Sequence, residues 1–448
     1  MNKLILYLSV ICILCISQSF AQRVLTLQES KQLAFVNNSK SKNSKLETEA
    51  SRQVKKQAFT NYFPNVSAGG LTFGAQKNLM EIKTSGGNLP VYDGNPANIM
   101  SATQFAYMPG GEMGLLKKGT IGFVNAVQPV FAGGRIVNGN KLASLGEEVS
   151  IELQKLTANE VQLKTEEQYW LIVSLEEKQK TLGKYEELLN NLMGQVTDAF
   201  KSGLVMENDV LKVKLKQSEV LLNKSKLENG NKIALMVFCQ YIGIPYDSTI
   251  QLRDDLTVKN IPQSFYVDHQ EAVKNRVEYD LLKKSVIAEK LQTNMKMGEY
   301  LPQAAIGING TYMKLDESDS RTIGMVFGTV SVPISGWWGG SHALQERAVR
   351  EEVAANNLQN NSELLLLQIE KSWQDLSDSY KQYRLSEEAK TQAERNLQLT
   401  EDSYKNGIVK LSDLLEAQAL LQQTLDQLTD SKAAYANKVS GYLQVTGR

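Results

Sequence analysis

Cysteine and histidine are scarce in this chain, and net charge is absent. Of three cysteines, Cys12 and Cys15 fall in the opening stretch MNKLILYLSVICILCISQSFAQ. There Lys3 supplies a charged start, Leu4 to Ile16 an apolar run and Ser19-Phe20-Ala21 an A-x-A-like cleavage site. The pattern predicts a removable secretory signal over residues 1–21 rather than an anchor, because the apolar run is short of the roughly 20 residues a membrane helix needs. Neither cysteine follows the small residue of a lipid-attachment site. Cys239 alone then remains, which excludes an intrachain disulfide framework, and it reads as a small apolar helix residue. The two histidines, His269 and His342, lie far apart without metal-ligand spacing. No Ser-His-Asp, zinc or phosphate-loop constellation can be assembled, so we expect no catalytic residues, no metal and no cofactor. Lysine plus arginine and aspartate plus glutamate balance at 49 each, leaving no field to recruit nucleic acid. Beyond the signal, no apolar run reaches the roughly 18 residues of a transmembrane helix.

Proline is also scarce, and its nine positions order the chain. None occurs from Arg135 to Gly243 or from Ile334 to Arg448. A proline inside a helix costs about 3 kcal/mol, so both stretches are free to be very long helices. The second carries Leu414, Leu421, Leu428, Tyr435 and Tyr442 at heptad spacing, with Leu411, Leu425 and Val439 on the companion position: a coiled-coil seam, loosened by Gln418 and Lys432. Helices of this length exclude a compact globular core.

The chain is also duplicated. "FKSGLVMENDVLKVKLKQ" from Phe200 and "YKNGIVKLSDLLEAQALL" from Tyr404 share one grammar, in a register set by the glycines (407 − 203 = 204) and the aspartates (413 − 209 = 204). "YFPNVSAGGLTFG" from Tyr62 matches "YLPQAAIGINGTY" from Tyr300, and "AVQPVFAGG" from Ala126 matches "VSVPISGWWGG" from Val330. The offset is 302 − 64 = 238 at one proline pair and 333 − 129 = 204 at the other, so the first half carries 34 extra residues between Gly74 and Gly119. A recurring motif in register marks a repeat. We therefore divide the chain into a first repeat over 22–245, an inter-repeat segment over 246–268 and a second repeat over 269–448.

Four strands are predicted, about 65–74, 120–131, 303–312 and 322–333. In the third, Ala304, Ile306 and Ile308 oppose Gly307, Asn309 and Thr311; both faces of the fourth are fairly apolar. Alternation over about ten residues suits a tilted outer-membrane strand, and Tyr62, Phe63, Phe131, Tyr300, Trp337 and Trp338 gather at strand ends as interfacial aromatics do. The edge of a soluble sandwich has the same pattern. Four strands cannot close a barrel, and an open edge is not viable in lipid, so strands that meet a bilayer must be pooled between copies.

The motifs "QPVFAGGR" (Gln128 to Arg135), "VPISGWWGG" (Val332 to Gly340) and "YFPNVSAGG", with the two glycine turns, resemble the outer membrane efflux protein family, whose best-known member is TolC. The likeness covers essentially the whole mature chain, twice over. It implies a mainly α, TolC-like homotrimer whose four strands per chain pool into a 12-stranded outer-membrane barrel. Three sets of helices would build a long α-helical barrel through the periplasm, with an equatorial belt from about Pro245 to Asp268 and the shorter helices. Thr26-x-x-Glu29 and Asp268-x-x-Glu271 are candidate capping boxes for those helices. The insertion 75–118 reads as an extracellular loop, long enough for a lid over the pore mouth.

By the same resemblance the glycine turns are periplasmic hairpin tips. Gly203 and Gly407 reverse the chain, while Leu204, Val205, Ile408 and Val409 present apolar surface to a periplasmic adaptor; packing on their own hairpin is the alternative reading. Asp413 and Glu416 match the acidic gate ring, and Asn208, Asp209 and Tyr404 match the polar contacts that hold it shut. Val409 stands where the family has a gate arginine, with Lys410 beside it. The same acids also fit a solvated helix face. The implied function is a passive outer-membrane duct, recruited by an adaptor and an inner-membrane pump, for small toxic compounds. An outlet for secreted polypeptides is the alternative with the same architecture, and a periplasmic coiled-coil scaffold the alternative without a channel.

Overall fold

The computed structural model describes residues 24–316 and 318–448; the predicted signal 1–21 lies outside them. In chain order, β1 (Val24–Leu25) precedes α1 (Leu27–Asn37), α2 (Ser39–Phe59) and β2 (Asn65–Gly74). Next come β3 (Met80–Thr84), β4 (Gly87–Pro90), β5 (Phe105–Met108), β6 (Gly111–Leu115) and β7 (Lys118–Ala132). The helices α3 (Arg135–Lys201) and α4 (Glu207–Ile242) complete the first repeat. After β8 (Gln251–Leu252), the second repeat holds α5 (His269–Lys274), α6 (Val277–Gly298), β9 (Gln303–Leu315), β10 (Arg321–Ser331), α7 (Trp337–Lys405) and α8 (Leu411–Val445). The proline-free stretches are thus two helical hairpins. Their first arms have 67 and 69 residues, each about 100 Å at 1.5 Å per residue.

The chain forms two units. The helical unit comprises the described residues through Arg52 with Leu145–Ile287 and Glu352–Arg448. Its core repeats the sequence duplication. Tyr169, Ile172 and Phe238 pack with Ala34 in the first half; Trp373, Leu376 and Tyr442 pack with Ala272 in the second. Phe238 and Tyr442 are equivalent (442 − 238 = 204) and both fully buried. Gly243 and Gly447 end α4 and α8 in the left-handed region. Each abuts an asparagine, Asn37 and Asn275, and 275 − 37 = 238. Both sequence offsets therefore meet in one repeated contact.

The inter-repeat segment is tied back to the chain start. Parallel pairing joins β1 to β8. The Asp254 carboxylate accepts the Leu27 N–H and the Tyr169 hydroxyl, both at 2.7 Å. Burial, then the hydrogen bond to Asp254, raises the Tyr169 hydroxyl pKa. Thr26 and Glu29 make the expected reciprocal capping box. The second box is only half formed. Asp268 accepts the Glu271 N–H at 2.8 Å, while the Glu271 carboxylate pairs with Lys274, one turn on, also at 2.8 Å.

The second unit, Gln53–Ser144 and Ala288–Glu351, holds an antiparallel sheet in the order β10-β9-β7-β2. All four predicted strands are present. A bulge at Pro129 to Phe131 absorbs the proline, which has no N–H for the ladder. One face carries the rung Val66–Ala126–Ile308–Val326, and the other the rung Ser67–Asn125–Asn309–Met325. Val66, Ile308 and Val326 are all well exposed. The fourth strand's orientation follows from its partner: Val326 faces with Ile308 and Val330 with Ala304. A sheet with an exposed aliphatic face and two open edges, β2 and β10, remains.

The insertion 75–118 is not an irregular loop. β3 pairs with β6 and β4 with β5 in one register from Met80↔Leu115 to Pro90↔Phe105. The Val91 N–H continues it to the Gln104 carbonyl at 2.9 Å. The segment is an extension of the β2–β7 hairpin, a two-stranded ribbon whose arm from Met80 to Val91 measures about 40 Å along the chain at 3.4 Å per residue.

Candidate functional site at the hairpin tips

The two helical hairpins turn by the same device. Gly203 and Gly407 adopt φ of +72° and +71°, where a Cβ would cost about 1–2 kcal/mol. At the first turn Gly203 N–H donates to Phe200 C=O and Leu204 N–H to Ala199 C=O; at the second Gly407 donates to Tyr404 and Ile408 to Ser403. All four bonds are 2.9 Å. The pair of bonds is a Schellman motif, which satisfies the last carbonyls of α3 and α7. The break in an otherwise continuous helix pattern is therefore a closed, fully bonded turn.

Behind the turns, Leu189, Leu192 and Val196 of α3 meet Val213 of α4, Leu397 of α7, and Leu411 and Leu414 of α8 in one buried cluster. This core holds both tips together within a single chain. The four aliphatic tip residues divide. Leu204 and Ile408 are 78% and 74% exposed, whereas Val205 and Val409 are half-buried, Val205 against the core cluster. The expectation of four exposed aliphatics thus holds for two. Met206, also 78% exposed, was missed in the sequence. Its signal is its place directly before α4, where an amphipathic helix has not yet begun.

Asp413 and Glu416 lie exposed on one face of α8, between the buried Leu414, Leu415 and Ala417. Asp413 occupies the third position of that helix: its carboxylate accepts the Lys410 N–H and the Ser412 hydroxyl, each at 3.1 Å. Lys410 thus meets Asp413 through its backbone. The equivalent Asp209 instead pairs with Lys212, one turn on, at 3.0 Å. Tyr404 packs on the core cluster. Burial, and then the nearby Asp209 charge, raise its hydroxyl pKa. Asn208 stands exposed beside Asp209 at the start of α4. Exposed acidic side chains beside a hairpin turn can set ion selectivity where they line a channel. Among the described residues no group of three potential metal ligands occurs, and no helix is long and apolar enough to cross a membrane.

Residues 294–448 match the outer membrane efflux protein family. The fold is similar to that of the CmeC outer membrane channel of Campylobacter jejuni, with a TM-score of 0.74 at 15% identity over 94% of this chain and 85% of that one. It is likewise similar to the outer membrane protein VceC of Vibrio cholerae (TM-score 0.71, 12% identity, 94% and 96% covered). The open state of the Neisseria gonorrhoeae MtrE outer membrane channel gives 0.74 at 11% identity, with 94% and 88% covered. Comparison with curated proteins by sequence returns no match. The family match covers most of the second repeat, and nearly the whole chain has the fold shared by these TolC-like outer membrane channels.

Proposed function

We propose that the chain is one third of a homotrimeric duct, the outer-membrane exit of a tripartite efflux system. One observation carries this reading: a four-stranded sheet with an exposed aliphatic face and open edges on β2 and β10. Unpaired backbone cannot face hydrocarbon, and the smallest outer-membrane barrels have about eight strands. Joining β2 of one copy to β10 of the next in threefold symmetry closes a 12-stranded barrel and turns the Ser67–Asn125–Asn309 rung to its water-filled interior. The helical hairpins extend into the periplasm. Leu204, Met206 and Ile408 at their tips offer the apolar surface on which a periplasmic adaptor docks, with an inner-membrane pump supplying the energy. The cargo is small toxic compounds, selected by the pump rather than by the duct.

The test is planar-bilayer recording of the detergent-purified protein. A low, cation-selective conductance is expected, rising when Asp413 and Glu416 are both neutralised. A protein that leaves membranes with salt or carbonate and carries no current would contradict the channel.

A further inference from the structure

The ribbon that extends the β2–β7 hairpin has two unlike faces. Its continuous register places Met80, Ile82, Phe105, Tyr107 and Met113 on one side, all between 49% and 71% exposed. The other side near the sheet carries Glu81, Lys83 and Glu112, with Lys83 and Glu112 paired at 2.6 Å. The five apolar side chains, of roughly 200 Å² each and somewhat more than half exposed, present on the order of 600 Å², the upper end of the roughly 300–600 Å² of the largest patch on a typical monomer. A lone two-stranded ribbon is also marginally stable in water. This face needs a cover.

The base of the ribbon is held firmly. The Asp316 carboxylate accepts the Leu116, Lys117 and Lys118 N–H groups at 2.6, 2.7 and 2.9 Å. Leu116 and Asp316 both adopt positive φ, conformations that non-glycine residues hold only when their surroundings impose them.

We infer that the cover is the same face of the other two copies. The apolar sides of three ribbons pack together on the threefold axis, forming an apolar closure over the outer mouth of the duct. This rests on the trimeric reading above. Two observations favour copies of this chain over another occupant. β3 follows β2 directly, so the ribbon prolongs the edge at which neighbouring copies join. The face is also rich in Met and aromatics and free of charge, as the centres of protein interfaces are.

The experiment uses single cysteines, since the one cysteine beyond the signal, Cys239, is buried and the wild-type chain is the blank. Tyr107→Cys and Met113→Cys are expected to be cross-linked into dimers and trimers by a short bismaleimide, and Glu81→Cys to stay monomeric on denaturing gels. In the intact trimer the first two should react with a bulky maleimide at least tenfold more slowly than Glu81→Cys. Equal labelling without cross-links would overturn the closure, as would protection that appears only in lipid vesicles, which would assign the face to lipid. Light scattering on the same samples separates the two readings: a single copy per particle removes the duct itself, whereas three copies with freely labelled ribbons remove only the closure.

Discussion

Neutralising Asp413 separates two jobs that its carboxylate performs. As a cap it accepts the Lys410 N–H; as a charge it stands exposed beside Glu416. In the proposed trimer the two residues would place six carboxylates around the throat. Because both are water-exposed, a dielectric near 80 applies, and six charges at a radius of about 6 Å attract a monovalent cation by roughly 4 kcal/mol. Screening over a Debye length of about 8 Å halves this to ~2 kcal/mol, with the opposite sign for an anion. The cation–anion gap is then ~4 kcal/mol. Asp413→Asn removes three of the charges, reducing the gap by about 2 kcal/mol, or roughly 30-fold in the permeability ratio. The assay is the reversal potential across a bilayer under a salt gradient. Asp413→Asn and Glu416→Gln should lower selectivity alike, and the amide of Asn can still accept the Lys410 N–H. Asp413→Ala loses the cap as well, about 1 kcal/mol of local helix stability, so it should also speed amide exchange at the start of α8. Selectivity unchanged in both Asp413→Asn and Glu416→Gln would refute the gate assignment and leave these acids as a solvated helix face.

Further expectations follow from single contacts. Gly203→Ala and Gly407→Ala should each destabilise their tip by about 1–2 kcal/mol, seen as roughly five- to thirtyfold faster hydrogen exchange of the turn amides; no Cβ clash contributes, since nothing lies within 4 Å of either position. Tyr185→Phe should stabilise the helical unit by about 1 kcal/mol in thermal unfolding, because the buried Tyr185 hydroxyl has no partner among the described residues and burial pushes its pKa to about 12. Asp316 is held below the usual carboxylate range, chiefly by the Lys118 N–H. Its contribution is therefore present above the ordinary aspartate pKa of about 3.9 and is lost only as pH falls through the lower folded value. The protection of the Leu116–Lys118 amides, taken relative to their intrinsic exchange rates, should accordingly hold steady from pH 7 to about 4 and fall below it, and Asp316→Asn should lower it at every pH.

Much of this architecture was legible because two residue types leave durable marks. Proline marked where helices could not run, and the glycines at 203 and 407 marked the turns to the residue. The duplication then reinforced each weak strand signal with a second copy. Strand boundaries erred by a few residues because pairing, not propensity, decides where a ladder stops: β9 runs to Leu315 since β7 offers partners that far. The ribbon escaped notice because its strands are only four or five residues long and are interrupted by Pro90, Pro109 and several glycines, so no alternation survives over a readable window. The half-formed cap at Asp268 reflects a competition that local spacing does not reveal, since Lys274 draws the Glu271 carboxylate away. At the tips, spacing put Asp413 and Glu416 on one face but did not show that Asp413 also closes the helix start. Val205 and Val409 are half-buried because each directly follows an exposed aliphatic as the chain turns back toward the core.

The central claim is that no single copy can close a barrel, and the particle mass of the protein extracted from outer membranes in mild detergent tests it most directly. The account predicts three chains per particle, which separate only when the sheet edges are denatured. A monodisperse single chain that retains its β-structure and inserts into lipid would contradict it.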